Sequence, residues 1–232
     1  MRARHVFLSP HMDDAVFSAG GLILDLKRRG EEVFIISIFT SFGDRPISKD
    51  AQRHILQSGY MRLSSFVAAR NREDESVMRA LDVPCVRLGF VDAGFRKNNL
   101  HSFVYPSFSR LFSGMYVPEN ELLRQIRRGL VALLRPTDTL YAPIGIGNHP
   151  DHVLVRSAAM TLSQSQYFWT DQPYAHNLRN THITTKAWKK AMTVVPDASK
   201  NHIAALYRSQ FSRCFPLGIS TIREQYYSHT KT

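Results

Sequence analysis

Two short clusters of imidazole and carboxylate side chains are the part of this sequence best suited to chemistry. The first is the run HMDD at 11–14, and the second is HPDH at 149–152. Residues three apart at the start of a helix share one face, so the first and last residues of each cluster point the same way. Two imidazoles and one carboxylate make a known catalytic zinc set that leaves a position open for water. The spacing therefore predicts a metal site, where a further carboxylate can act as a base towards that water.

Each cluster also has a purely structural interpretation. Asp13 and Asp14 could cap a helix and stabilise its first turn, and Pro150 beside Asp151 could open another. A lone histidine such as His11 is more often structural than a metal ligand. The two clusters together favour the metal site, because each follows a predicted strand.

The strands predicted at 5–8 and 139–143 position these clusters. Both are short apolar runs; Pro10 stops the first, and the second continues into a glycine-containing turn at 144–148. In open α/β sheets, ligands bind at the carboxyl ends of the strands, where the loops converge on one crevice. The two clusters are therefore expected to meet at one edge of the sheet.

The rest of the pattern predicts one α/β domain over residues 1–232. The run at 33–39 is nearly all β-branched and aromatic, which is typical of a parallel strand covered on both faces. Further strands are expected at 84–90, 167–169 and 191–195, and helices at 13–30, 66–81, 119–134, 151–163 and 200–213. The expected architecture is a three-layer, Rossmann-like sandwich, with a mostly parallel sheet and helices on both faces.

Two irregular excursions, at about 41–65 and 92–117, interrupt this pattern. Long excursions inside compact domains are often functional, and we expect substrate specificity to reside in them and in the segment at 171–176. The second is rich in aromatic residues, which either stack on a sugar ring or form a satellite core under the loop.

The charge balance is the one unusual bulk property. A total of 30 Lys and Arg residues against 19 Asp and Glu gives a formal net charge of +11. This suggests a nucleic acid, an anionic membrane surface or an anionic substrate as partner. The basic residues are spread along the chain, and no RNA-recognition signature, zinc-finger spacing or basic zipper is present. We therefore expect a solvated surface and no nucleic-acid partner, with an anionic small molecule as the functional alternative.

Signals for membranes and export are weak. No run of 18 or more apolar residues exists, so no membrane span is expected. The basic start at Met1 lacks the apolar core and cleavage site of a signal peptide. Cys85 and Cys214 make neither a disulfide framework nor a C-x-x-C metal site. A cytoplasmic location is expected, and the sequence is compatible with a homo-oligomer.

In their sequence context, the two clusters resemble the signature motifs of a known family. The runs SPHMDD at 9–14 and GNHPDH at 147–152 are similar to the paired motifs of the PIG-L (LmbE-like) deacetylases. These are zinc-dependent enzymes that remove N-acetyl groups, mostly from N-acetylglucosamine units. Similar stretches extend over most of the chain: RNRED at 70–74, LGFVD at 88–92, DQPY at 171–174 and YRSQ at 207–210.

The resemblance implies a role for each polar residue of the clusters. It implies zinc, or a similar divalent metal, bound by His11, Asp14 and His152. It implies Asp13 as the general base on the zinc-bound water. It also implies that His149 stabilises the oxyanion and helps to protonate the leaving amine.

Four further positions bear on the resemblance. Arg70 and Asp92 match residues that contact the sugar in family members, which makes them candidate substrate-binding residues. Structural alternatives remain open for both: a helix-surface ion pair of Arg70 with Asp74, and a turn formed by Asp92. Ala15 replaces a common Glu, which could alter the shell around the metal. Gly147 stands where members active on cysteinyl-type sugars often carry a Tyr, so an extra oxyanion donor is missing there.

The resemblance thus implies a zinc-dependent N-deacetylase that acts on an acetylated amino sugar or a glycosylated small molecule. The alternative within the hydrolases is a metal-dependent amidase or esterase of secondary metabolism with a non-sugar substrate. The alternative outside them is a non-enzymatic metal-binding protein with a vestigial centre. That alternative is disfavoured, because all five polar residues assigned to the metal, the base and the oxyanion are present.

Overall fold

Seven strands form one sheet in the computed structural model, which describes residues 3–177 and 187–229. The strands are β1 (Arg4–Ser9), β2 (Glu32–Ser41), β3 (Cys85–Val91), β4 (Thr139–Pro143), β5 (Ser165–Trp169), β6 (Trp188–Val194) and β7 (Glu224–His229). Their order in the sheet is β3-β2-β1-β4-β5-β7-β6. The strands from β3 to β5 in this order pair in parallel, and β7 runs antiparallel to both of its neighbours. The prediction of a mostly parallel sheet is confirmed.

Helices cover both faces of this sheet. They are α1 (Asp14–Arg28), α2 (Lys49–Gln57), α3 (Leu63–Leu81), α4 (Phe108–Leu111), α5 (Asn120–Leu133), α6 (Pro150–Met160), α7 (Tyr174–Asn177), α8 (Ala198–Ala204) and α9 (Phe211–Cys214). On one face, α1 and α3 contribute Val16, Ile23 and Phe66 to the core. On the other face, α5 and α6 contribute Ile126 and Val155. The predicted three-layer α/β architecture is confirmed. None of the described helices is both long and apolar enough to cross a membrane.

The register of β1 against β4 brings the two sequence clusters together. His5 lies opposite Thr139, and Phe7 lies opposite Tyr141, so the two strands run side by side in the same direction. The chain leaves β1 into α1 and leaves β4 into α6. Both connecting loops therefore open at the same edge of the sheet, as the strand pattern predicted.

The excursions contain more regular structure than their sequences indicate. The first includes α2 and the start of α3, and the second includes the short α4. Tyr105, Phe108 and Leu111 pack with Ala93 in a small apolar cluster of their own. The satellite-core alternative is therefore confirmed for the inner aromatic residues of the second excursion.

The C-terminal part differs from its prediction. The helix predicted at 200–213 is wrong as a single element, because α8 ends at Ala204 and α9 begins at Phe211. Between them Tyr207 is fully buried, and its hydroxyl oxygen lies within hydrogen-bond distance of the Asp74 carboxylate, at 2.8 Å, and of a backbone carbonyl after β1, at 2.7 Å. These tertiary contacts override the local helical periodicity. Strand β7, whose sequence shows no clear pattern, extends the sheet in the antiparallel direction.

Candidate metal and active site

Three ligand atoms converge at the shared edge of β1 and β4. Nδ1 of His11 lies 3.0 Å from Oδ2 of Asp14, and Nε2 of His152 lies 3.3 Å from the same oxygen. In a tetrahedral zinc site with bonds of about 2.0–2.1 Å, ligand atoms are about 3.3 Å apart. These three residues, which the resemblance implies as ligands, therefore have the spacing to hold one metal ion.

The hydrogen bonds of His152 leave one lone pair facing Asp14. Its Nδ1 lies 2.6 Å from Oδ1 of Asp171, and Oδ2 of Asp171 accepts from the N–H groups of Gly145 and Ile146. Because this buried carboxylate is an acceptor, Nδ1 carries the proton of the neutral ring, and Nε2 of that neutral ring is an acceptor too. That Nε2 is buried without a hydrogen-bond partner among the described residues. The neutral ring and Asp14 thus present two acceptors to each other, and either a proton or a metal ion between them satisfies both.

The local charge favours such a cation. Burial by itself lowers the pKa of His11 and His152, but the neighbouring carboxylates outweigh it. Asp92 and Asp14 raise the pKa of His11 well above its usual value. Asp14 and Asp171 raise the pKa of His152 to about 9. The negative field that attracts a proton to these rings attracts a metal ion in the same way.

The second ring nitrogen of His11 is held by Asp151. His11 Nε2 lies 3.1 Å from Oδ2 of Asp151, and the same oxygen accepts from the N–H of Ala93 at 2.9 Å. The other oxygen accepts from Nη1 of Arg96 at 2.8 Å. Both histidines therefore have a carboxylate on the nitrogen that points away from Asp14, an arrangement that orients the rings in metal sites.

A second group of residues, His11, His149 and Asp151, also has ligand atoms close enough for a metal ion. The Asp151 oxygens in that group already accept from Arg96, a backbone N–H and His11. His149 Nδ1 already accepts from the Asp151 N–H at 3.3 Å. Of the two groups, the one containing His152 fits a metal better, because it includes the unpartnered acceptor.

Asp13 occupies the N-cap of α1, but its side chain does not cap the helix. Ser9 Oγ instead accepts from the N–H of Ala15 at 2.9 Å. Oδ2 of Asp13 accepts from Nη1 of Arg70 at 3.0 Å, and both side chains line a cavity beside the cluster. The helix-capping alternative is therefore wrong for Asp13, whose carboxylate is oriented by a buried cation.

Arg70 and Asp92 are both found at this cavity. Arg70 is buried, and Asp74 instead accepts from Arg87 at 2.8 Å, so the alternative of a surface ion pair with Asp74 is wrong. Asp92 does form a turn, because its Oδ1 accepts from a backbone N–H two residues later at 2.7 Å. Its Oδ2 lies 3.5 Å from His11 Nε2. Contact of either residue with a substrate stays a prediction.

His149 is positioned as a neutral hydrogen-bond donor. Its Nδ1 accepts from the N–H of Asp151 at the start of α6. Burial lowers the pKa of His149 well below its usual value, although Asp151 opposes this. The ring proton is therefore on Nε2. The ring centroid lies 5.0 Å from that of His11 and 5.3 Å from that of His152, so this donor stands beside the candidate metal ligands.

The sequence prediction assigns three residues that support the site no part in metal binding or catalysis. Asp151 lies between the two histidines of the second motif, and Asp171 is the second residue after β5. Their position near candidate ligands could have predicted a supporting role, since carboxylates commonly orient metal-binding histidines. Arg96 lies in the second excursion, where no pattern in the sequence marks it.

A cavity of about 440 Å³ opens over the cluster, a size that suits a small molecule. Much of its wall is aromatic: Phe17, Phe42, Phe66, Phe95, Phe108 and Phe112. Apart from the residues already described, its polar lining includes His54, Gln172, Tyr174, Gln210 and Arg213. The cavity therefore joins an apolar wall to a polar floor that contains candidate metal ligands.

Comparison with known proteins finds similarity over most of the chain. The family model described as PIG-L: GlcNAc-PI de-N-acetylase matches residues 6–163, which include both clusters. The 2'-N-acetylparomamine deacetylase of Streptomyces fradiae is 29% identical over 209 residues, which cover 85% of this chain and 67% of that protein. The protein of the same name from Niallia circulans is 26% identical over 187 residues, which cover 73% of this chain and 66% of that protein. The chain thus spans about two thirds of the length of these relatives.

A solved structure shows the same fold. A deacetylase crystallised in complex with teicoplanin superposes with a TM-score of 0.76 at 21% identity, over 99% of this chain and all of that one (100%). At this identity the likeness supports the architecture rather than the substrate.

Proposed function

Because the chain belongs to the PIG-L family, we propose that it is a zinc-dependent N-deacetylase. Its substrate is an acetylated amino sugar or another glycosylated small molecule. The membership predicted from the two sequence motifs is confirmed by the family match over residues 6–163.

The observation that carries the proposal is the pair of acceptors, His152 Nε2 and Asp14 Oδ2, that face each other at 3.3 Å with His11 beside them. Two imidazoles and one carboxylate without a thiolate are the donor set of a catalytic zinc site. A metal bound there supplies two things, a lowered pKa for its bound water and polarisation of the substrate carbonyl.

The remaining steps belong to residues of the chain. Asp13, oriented by Arg70, accepts one proton from the attacking water. The water oxygen bonds to the acetamide carbon, and the carbonyl oxygen becomes an oxyanion to which His149 Nε2–H donates. The C–N bond then breaks as the nitrogen takes up the proton that Asp13 received. The products are a free amine and acetic acid, which loses its remaining proton to become acetate, and one water molecule is consumed.

Names of the relatives support an amino sugar as substrate. Two of them are 2'-N-acetylparomamine deacetylases. An anionic group on the substrate is a further part of the proposal. It is supported by Arg213, which lines the cavity and forms no ion pair with any residue that the structure describes.

We also propose a cytoplasmic location, to which the unpaired thiols of Cys85 and Cys214 are suited.

The test begins with metal analysis of the purified protein, where about one zinc per chain is expected. Chelation should abolish the release of free amine from a panel of N-acetylated compounds, and added zinc should restore it. The panel includes 2'-N-acetylparomamine, N-acetylglucosamine and its anionic nucleotide-linked form, each at low and high salt. Undiminished activity in a metal-free preparation overturns the zinc centre. A zinc-loaded protein that releases no amine from any sugar overturns the deacetylase proposal.

The anionic group on the substrate is tested by salt, because an anionic substrate should react more slowly as the salt concentration rises. An equal salt response for neutral sugars overturns the proposal of an anionic substrate.

A further inference from the structure

The hydroxyl of Tyr174 has no hydrogen-bond partner among the residues that the structure describes. Tyr174 opens α7, is half-buried and lines the cavity with the candidate ligands. The hydroxyls of Tyr105, Tyr207 and Tyr226 each donate to a carboxylate at 2.8–3.0 Å. No residue within 3–177 or 187–229 accepts from or donates to the Tyr174 hydroxyl. A polar group that lines a cavity without a protein partner is available to a ligand.

The Tyr174 ring is wedged tightly in place. Gly147 has a φ of +87°, and a Cβ added there would lie 2.7 Å from Cγ of Tyr174. On another side the ring meets His152 edge to face, with 5.6 Å between centroids. Phe112 packs against it at 5.6 Å. The hydroxyl is therefore held in one direction before any substrate arrives, so little entropy is lost when it forms a hydrogen bond.

The Tyr174 ring lies beside the reaction centre, because it contacts His152 and lines the same cavity as Asp13 and Asp14. A phenol has an ordinary pKa of about 10, so at neutral pH the hydroxyl is a neutral O–H donor. Asn148, the amide next to His149, is exposed, and its Oδ1 already accepts from Tyr116 at 3.4 Å.

We propose that Tyr174 is a catalytic residue whose hydroxyl donates a hydrogen bond to the carbonyl oxygen of the scissile acetamide as that oxygen becomes an oxyanion. This inference rests on the proposed function. The donor transfers no proton; its bond strengthens as negative charge develops, so it stabilises the transition state more than the bound substrate. The ring fits because Gly147 has no side chain. Tyr174, from another loop, would therefore supply the oxyanion donor that the sequence lacks at position 147.

The test is Tyr174→Phe, which keeps the ring and its packing. With the fastest N-acetylated sugar of the panel, kcat should fall by about 10²–10³, the usual cost of losing one oxyanion donor. The KM, the zinc content and the Tm should remain at wild-type values. Affinity for a methylphosphonamidate analogue of the same substrate, which mimics the tetrahedral oxyanion, should fall by a similar factor, while affinity for the amine product should not.

Tyr116→Phe is the matched control, because it removes a phenol hydroxyl from a neighbouring loop outside the cavity wall. It should retain wild-type kcat. The inference is overturned if Tyr174→Phe keeps kcat within twofold, changes only KM, or loses zinc or stability in proportion to its activity. An inactive wild-type protein would instead overturn the proposed function, so the two failures are distinguishable.

Discussion

The two histidines that face Asp14 are held by opposite means. His152 is oriented by Asp171, whose other oxygen is held by two backbone N–H groups of the loop after β4. His11 is oriented by Asp151, which is held by the side chain of Arg96. We call His152 and Asp171 the His152 arm, and we call His11, Asp151 and Arg96 the His11 arm. The carboxylate of the His152 arm is held mainly by backbone N–H groups, and that of the His11 arm is held by a buried ion pair.

This difference connects the second excursion to the metal site. Arg96 also pairs with Glu119, whose Oε1 lies 2.7 Å from its Nε, and its guanidinium lies over the ring of Phe39 at 5.2 Å from the centroid. A buried ion pair is costly to break by removal of one partner, because the other charge is left without compensation. The excursion expected to select substrates therefore also positions a candidate metal ligand.

The largest effect should come from Asp14, the residue that faces the histidines of both arms. Asp14→Asn removes the carboxylate charge that faces both histidines, so we expect metal affinity to fall by more than about 10²-fold, beyond the 10–100-fold typical of residues that only orient a ligand. Amine release should be lost with the metal. Zinc titration of the apoprotein and the amine assay measure both effects.

Asp13→Asn is the adjacent control. It should retain zinc but lower kcat by about 10²–10⁴, the usual cost of a general base. If Asp13→Asn loses zinc while Asp14→Asn retains it, the two assignments are reversed. If both variants stay active, the site lies elsewhere.

The convergence of the arms could be predicted because it depends on local sequence. Each motif follows a strand, and β1 and β4 are adjacent parallel strands, so the loops meet. Asp171 follows β5, the next strand in the sheet, and is close for the same reason. Arg96 could not be predicted, because it contacts Asp151 across 55 residues of chain from an irregular segment. Tyr207 breaks a predicted helix through contacts 133 residues away, which no local periodicity encodes.

A smaller effect is expected when the carboxylate of either arm is replaced. Asp171→Asn and Asp151→Asn each place an amide N–H against existing donors, so the histidine ring loses its fixed orientation. Loss of such a partner typically costs 10- to 100-fold in metal affinity or activity. Zinc affinity by competition with a chelating dye, with Tm as a check on folding, measures the loss. Wild-type affinity in either variant would show that the arm does not orient its histidine.

Arg96→Gln should have a smaller effect still, and on one arm only. It removes the cation that holds Asp151 but leaves the carboxylate in place, so we expect a loss of severalfold in zinc affinity, within about 1.4 kcal/mol. In double variants, Arg96→Gln should be coupled to Asp151→Asn and additive with Asp171→Asn. Arg96→Lys should recover part of the affinity. Additivity in both pairs would reduce Arg96 to a structural role.

The smallest effect on the site should come from His54, a histidine of the cavity wall that belongs to neither arm. His54 lies in the cavity wall, where burial, followed by Arg213 and Arg70, lowers its pKa from 6.5 to about 4. The folded state thus keeps His54 neutral, while the unfolded chain binds a proton below pH 6.5. The contribution of His54 to stability is present above that pH and is lost as the pH falls from 6.5 towards 4.

His54→Gln should therefore leave zinc affinity unchanged and reduce the acid-induced loss of unfolding free energy by about 1–3 kcal/mol across this window. Urea unfolding of the wild type and the variant at pH 8, 6 and 4 measures these free energies. The difference at pH 8 gives the loss of packing against Phe66 and Phe108, which is thereby separated from the effect of protonation. A difference between the two proteins that stays constant with pH would show that His54 is not held neutral by its surroundings.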